Sequence, residues 1–314
     1  MQENYTISPS LHYFVAGWLG GCTGLLVGHP WDTVRVRLQT QGGNVPIRYK
    51  GTLHCIKNII KTESVLGLYK GLAFPLLGYA GLNAAIFGTE GNVMKLLQPN
   101  EHLPRLNNSL IAGACGGIAG ALVASPVELV KIQMQMQNIG ILSQNVTQTN
   151  ISKIGPFTFT LMLIRNQGIT ALLTKGLWAT ILRDAPCCAI YFFLLDGLCY
   201  LLLNEEQRKD RTKNSNLELH PFKLFMIGGI AGTIGWSSTY PCDVIKSRLQ
   251  ADVVSQRPLY KGVTDCFYKT ISQEGIRPLF AGLKITLLTA FPINAVTLLT
   301  VILYLRLAGT SLVI

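Results

Sequence analysis

Three times in this chain a proline is followed by an acid two residues on and a base three residues after that: Pro30, Asp32, Arg35; Pro126, Glu128, Lys131; Pro241, Asp243, Lys246. An acid and a base three positions apart share one face of a helix, so the chemistry open to them is charge pairing with the same motif on a neighbouring helix. The motifs begin at residues 30, 126 and 241, so a unit of roughly a hundred residues recurs, far longer than the repeat of common solenoids. Small residues at four-residue spacing lead into each proline: Gly20, Gly24 and Gly28; Gly116, Gly120 and Ala124; Ala231, Gly235 and Thr239. Three helices therefore carry a face that allows close helix packing.

The helices that hold these faces are expected in lipid. Hydrophobic residues make up 49% of the 314-residue chain and charged ones 14%, against about a quarter charged in ordinary soluble domains. Six apolar stretches, near 11–38, 70–97, 107–137, 176–203, 220–249 and 282–308, read as membrane spans although each contains a glycine, proline or ion. Two spans per repeat, in repeats 11–98, 107–203 and 220–308 of a single domain 1–314, place both termini on one side. The net charge is +11, but the bases gather in the long loops after the odd spans, at Lys50, Lys57, Lys61, Lys153, Lys175, Lys261 and Lys269 among others. That is the asymmetry of the positive-inside rule, which for an organellar inner membrane puts these loops in the matrix. It argues against nucleic acid as a partner.

Eight cysteines form no Cys-x-x-Cys pair and no zinc-like spacing with histidine, so no metal is expected and most read as small apolar packing residues. Met1 to Pro9 lacks the order of a cleaved signal, so targeting is expected to be internal. Asn-x-Ser/Thr triplets at Asn4, Asn107, Asn145 and Asn150 keep a secretory-pathway alternative open.

The second half of each repeat completes the pattern. Glu63-Ser64 precedes Tyr69-Lys70-Gly71, and Glu274-Gly275 precedes Phe280-Ala281-Gly282. With these, the chain resembles the mitochondrial carrier family (solute carrier family 25) along nearly all of its length. It departs in repeat two, with Gln167-Gly168 and Leu173-Thr174-Lys175-Gly176, and at Ser64, where glycine is usual. The resemblance implies an all-α membrane protein of six transmembrane helices in three repeats, a pseudo-threefold barrel with surface helices near 52–62, 155–166 and 262–273. Pro30, Pro126 and Pro241 are expected to kink the odd-numbered spans by removing a backbone donor. Asp32, Glu128 and Asp243 then meet Lys131, Lys246 and Arg35 of neighbouring helices in a ring at the matrix end. Such a ring reads as a gate, or alternatively as a static clamp. Gln133 stands where the other repeats have Arg37 and Arg248, and is expected to add a hydrogen bond beneath one pair. Lys50-Gly51 and Lys261-Gly262, just ahead of surface-helix N-termini, are assigned by resemblance to cardiolipin phosphates, with Gly71 and Gly282 counted in the same sites. Lys153-Ile154-Gly155 is a poorer match.

At mid-membrane, unpaired ions are usually functional. Arg183 and Asp184, followed by Pro186, resemble the contact point of amino-acid and carnitine-type carriers, the arginine for a carboxylate and the acid for an ammonium; a self-neutralising Arg–Asp pair is the alternative. Trp236 offers a cation–π face for a methylated ammonium, or else packs helices. Tyr79 and Asn83 on the second span and Thr289 on the sixth complete the candidate substrate site. The aromatic-acid-x-x-base pattern usual at the cytoplasmic end is degenerate at Phe87–Gly91, Leu195–Cys199 and Thr300–Tyr304, so uniport or loose exchange is expected. Three readings stay open: a carrier of a carnitine-like or methylated amino-acid zwitterion, a basic amino acid carrier, and a carrier-fold protein that has lost transport and acts as an interaction partner or proton leak. No nucleophile-base arrangement or phosphate loop is present, so no enzyme and no cofactor is expected, and one chain suffices as a monomer in the inner membrane with both termini in the intermembrane space.

Overall fold

A computed structural model of the chain describes residues 9–42, 48–98, 106–136, 155–168, 170, 176–202, 221–252 and 259–308. The triplets at Asn4, Asn145 and Asn150, and Lys153, Ile154, Leu173, Thr174 and Lys175, lie outside these residues. The described chain is helical: α1 Pro9–Thr40, α2 Thr52–Glu63, α3 Ala73–Leu97, α4 Leu106–Met136, α5 Pro156–Gln167, α6 Leu177–Leu202, α7 Pro221–Ser238, α8 Tyr240–Asp252, α9 Val263–Glu274 and α10 Leu283–Leu307. The stretches Val65–Leu97, Leu106–Met136 and Leu177–Leu202 are long and apolar enough to cross a membrane.

The order within each repeat is long helix, short helix, long helix. α1 and α4 run through Pro30 and Pro126 without interruption. In the third repeat the helix breaks at Thr239, two residues ahead of Pro241, which divides it into α7 and α8. The long helices pack against their neighbours in chain order, and α10 returns to α1 to close the ring. Small residues make the seams. A Cβ on Gly20 would lie 2.9 Å from the Thr297 carbonyl of α10, one on Gly116 would lie 2.8 Å from the Ile86 carbonyl of α3, and one on Gly235 would lie 3.1 Å from the Cys187 carbonyl of α6. Each odd helix therefore presents its small-residue face to the even helix before it, with α10 standing before α1. α4 uses a second such face, where Gly113 and Gly117 lie against the α6 backbone at Cys188 and Asp184.

The short helices are amphipathic and cover one end of the ring. In α2 the buried Cys55 and Ile59, one turn apart, join Val34, Val36 and Leu38 of α1 and Ile132 of α4 in one cluster. In α9 Cys266 packs with Ile245 of α8 and with Leu279. Short 3-10 turns, Val65–Tyr69 and Arg277–Phe280, follow α2 and α9. Gly71, Gly176 and Gly282 then open the even helices at equivalent places, with φ of +83°, +91° and +86°. Only glycine enters that left-handed region without strain. Gly71 and Gly282 thus have a backbone role as well as their place in the sequence motif. Ser64 has φ +66° and ψ 177° where the other repeats have Gly168 and Gly275 at φ +81° and +85°.

Candidate functional site

The three recurring acid–base motifs meet at the end of the ring that carries the short helices. Lys131 of α4 pairs with Asp32 of α1, Lys246 of α8 with Glu128 of α4, and Arg35 of α1 with Asp243 of α8. Each base reaches the acid of another repeat, so the pairs form a closed cycle of three. The side chains of Lys246 and Asp243 are only 1% and 3% exposed, so each needs a partner inside the protein: a buried charge left alone is costly.

A second layer lies one half-turn deeper. Two residues after each motif base, a side chain reaches the backbone of the next odd helix. Arg37 Nε donates to the Gln135 carbonyl at 3.2 Å, Gln133 Nε2 donates to the Gln250 and Ala251 carbonyls at 2.5 and 3.1 Å, and Arg248 Nε donates to the Gln39 carbonyl at 3.1 Å. Gln133 therefore links the two helices that the Glu128–Lys246 pair joins, through carbonyls of α8. The two arginines do more. Arg37 forks onto Glu63 at 2.7 and 2.9 Å, and Arg248 forks onto Glu274 at 2.7 and 2.9 Å. Each ties a long helix to the C-terminal end of its own short helix. Burial would push the Glu63 carboxyl up, but the hydrogen bonds and charge of Arg37, followed by those of Lys70, hold it below the usual carboxylate range.

Sequence reasoning passed over the glutamine that braces the ring. Gln39 Nε2 donates to Asp243 at 2.9 Å and to Tyr240 Oη at 3.1 Å, and Ser247 Oγ donates to Gln39 Oε1 at 3.0 Å. Its signal was available: Gln39, Gln135 and Gln250 each stand nine residues after a motif proline. The residue before the proline was likewise passed over. His29 Nε2 donates to the Lys70 carbonyl at 2.9 Å, and Tyr240 Oη donates to the Ala281 carbonyl at 2.9 Å. Both secure the left-handed turn that opens the next even helix.

Beside the ring lies a cavity of about 650 Å³ that runs along α1 from Gly21 to Arg35 and is walled by α7 and α10. Asp32, Arg35 and Lys131 of the ring line it, as do the sequence candidates Tyr79, Trp236 and Thr289. Trp236 is 41% exposed. Thr289 is buried and its hydroxyl donates to its own helix, at the Ile285 and Thr286 carbonyls. Asn83 lies on α3, half-buried, outside this cavity. Arg183 and Asp184 do not line this cavity, and Arg183 lies against the ring itself. Arg183 meets Asp184 at 2.5 Å through Nε, Asp243 at 3.2 Å through Nη1 and Glu128 at 3.0 Å through Nη2. One guanidinium from α6 thus bridges two acids of the ring, using the planar fork that a lysine lacks. At the opposite end the contacts are of another kind: Ser109 Oγ donates to Asp196 at 2.5 Å, and Phe87 meets Phe192 edge-on.

The two short-helix N-termini assigned to lipid phosphate differ. The first turn of α2 contains no acid. In α9, Asp265 lies in the first turn and accepts from the Lys261 amide at 2.9 Å, so a carboxylate already answers the positive end of that helix. Among the described residues no group of three or more His, Cys, Asp or Glu is placed to hold a metal ion.

A family model described as mitochondrial carrier protein matches residues 7–101, 104–206 and 217–311. The chain is 42% identical over 288 residues to the Homo sapiens protein named mitochondrial basic amino acids transporter, across 92% of this chain and 88% of that protein. It is 35% identical over 293 residues to Homo sapiens solute carrier family 25 member 45, across 91% of this chain and 95% of that protein. It is also 35% identical over 303 residues to Homo sapiens solute carrier family 25 member 48, across 92% of each.

Proposed function

This chain belongs to the mitochondrial carrier family, and from that premise we propose that it carries a small zwitterion with a cationic group across the mitochondrial inner membrane by alternating access. The observation that carries the reading is the cavity of about 650 Å³ with an open indole on its wall and the ring of three cross-repeat ion pairs along its edge. Solute held among Trp236, Tyr79 and Thr289 lies beside the groups that must part for passage. The ring serves as the matrix gate, Arg183 links α6 to it, and Asp184 and Asn83 are the further candidates for solute contact as the helices move. Pro30, Pro126 and Pro241 are the points about which the odd helices tilt. That end faces the matrix and both termini face the intermembrane space, a reading supported by the basic long loops. Cardiolipin phosphate binds at Lys50-Gly51 ahead of α2 and more weakly at Lys261-Gly262, where Asp265 competes. The repeats 11–98, 107–203 and 220–308 form one domain, and the monomer is the working unit.

Two observations rank the solutes. The relative named a basic amino acids transporter makes lysine and arginine the first to test, and the indole face brings methylated ammonium zwitterions in with them. Uptake of radiolabelled lysine, arginine, carnitine and trimethyllysine into proteoliposomes that contain cardiolipin decides. Saturable uptake of at least one of these cations, abolished in Arg183→Ala, is expected. Uptake of none by folded protein would leave the carrier-fold protein without transport.

A further inference from the structure

The gate's arginine and the solute's cation have claims on the same ring. Arg35 Cζ stands 5.1 Å from the centroid of Trp236 and 5.4 Å from that of Tyr240. Its Nη2 holds Asp243, its Nη1 lies 3.8 Å from Asp32, and its buried Nε has no hydrogen-bond partner. The guanidinium is therefore positioned by two aromatic faces and a carboxylate, and its buried Nε–H is left unsatisfied. The other two repeats have lysine in this position, and among the described residues neither Lys131 nor Lys246 stands over a ring. Arginine is the base that stacks on an aromatic face. Trp236 is only partly covered by it, with 41% of the residue exposed on the wall of the cavity.

Resting on the proposed transport reading, we infer that Trp236 is a shared cation seat: its indole steadies Arg35 in the closed ring and receives the guanidinium or quaternary ammonium of the solute when the cavity fills. The attraction of a cation to an indole comes from the negative face of the ring, and two cations on one ring repel each other while dividing that attraction. Loading the cavity therefore weakens the hold on Arg35 and with it the Arg35–Asp243 pair, so solute binding and gate release are joined through one side chain. A neutral solute of the same shape fills the cavity without this effect. The seat selects for charge type as well as for fit.

The two sides of the competition predict opposite signs. Trp236→Leu removes the seat and raises the half-saturation concentration for arginine and trimethyllysine in proteoliposomes about five- to tenfold, while Trp236→Phe, which keeps a weaker π face, falls between it and wild type. Arg35→Lys keeps a base for Asp243, as the other repeats do, but gives up the stack, and so lowers the half-saturation concentration for the same two cations about threefold. Norleucine, a neutral analogue of lysine, inhibits arginine uptake with the same inhibition constant in all four proteins. Variants that shift in the same direction, or a norleucine response that tracks the cations, overturn the shared seat while leaving transport intact. Wild-type protein that carries neither cation overturns the transport reading and the seat together.

Discussion

Replacing Glu63 by glutamine should destabilise the protein about twice as much as the equivalent change at Glu274. Arg37 and Glu63 expose only 1% and 5% of their side chains and are joined by two hydrogen bonds of 2.7 and 2.9 Å. Glutamine keeps one acceptor oxygen, turns the other into a donor facing a donor, and leaves the Arg37 charge unanswered; Lys70, at 2.9 Å from the same carboxylate, also loses its partner. Breaking a buried pair in this way costs roughly 3–5 kcal/mol, and about 3–4 kcal/mol is expected because the Gln135 carbonyl still accepts from Arg37. Glu274 is 21% exposed, so water takes up part of the loss and about 1.5–2 kcal/mol is expected. At about 2 °C per kcal/mol for a long chain, the melting midpoints should fall by roughly 6–8 °C and 3–4 °C. The assay is built into the protein. Cys55 and Cys266 are fully buried and burial pushes both thiols up to about 12, so a thiol-reactive dye labels them only as the short helices come away. Equal shifts for the two variants, or a larger one at Glu274, would refute the argument from burial.

Four further outcomes follow from the geometry. Ser64→Gly should raise the melting midpoint by about 2 °C, because relief of a backbone state that costs about 1–3 kcal/mol exceeds the entropy that glycine adds, about 0.5–1 kcal/mol; no change in a thermal melt would mean that Ser64 is unstrained. Gly117→Ala puts a Cβ 2.5 Å from the Asp184 carbonyl and 2.7 Å from Ala185 Cα, and should lower the yield of monodisperse protein on gel filtration severalfold, whereas Gly91→Ala, with open space around it, should match wild type. Gln39→Leu removes the brace from Asp243 and leaves Ser247 without an acceptor, a loss of about 2–3 kcal/mol that differential scanning calorimetry would register as 4–6 °C. The Glu63 carboxyl titrates lower in the folded chain than unfolded, so its stabilisation is complete above the unfolded value of about 4.3 and is lost as pH falls through the folded one. The gap in melting midpoint between wild type and Glu63→Gln should therefore stay level from pH 7.5 to 5.5 and narrow below about 4.3; a gap that narrows already at pH 6 would contradict the sign.

The sequence alone determined whatever repeats. Three motifs in register state the threefold symmetry, and the family resemblance they carry supplied the expected matching of Asp32, Glu128 and Asp243 with Lys131, Lys246 and Arg35. The surface helices near 52–62, 155–166 and 262–273 were placed by the family resemblance, and the structure shows that Cys55 and Ile59, one turn apart, are what seats α2. Tertiary structure decided the features that break the symmetry or depend on distance across helices. Gln39, Gln135 and Gln250 recur at one offset, yet only the fold brings Gln39 to Asp243 while Gln135 reaches Thr33 and Gln250 reaches Thr180. Arg183 announced itself as an ion inside a membrane span, but its sequence neighbours name only Asp184. That it also bridges Glu128 and Asp243 depends on how closely Gly117 lets α6 approach α4. The stacking of Arg35 on Trp236 joins residues about two hundred positions apart, and no local pattern encodes such a contact: hydrophobic and charge periodicity fix which face of a helix turns inward, while the side chain it meets there is set by how the helices pack.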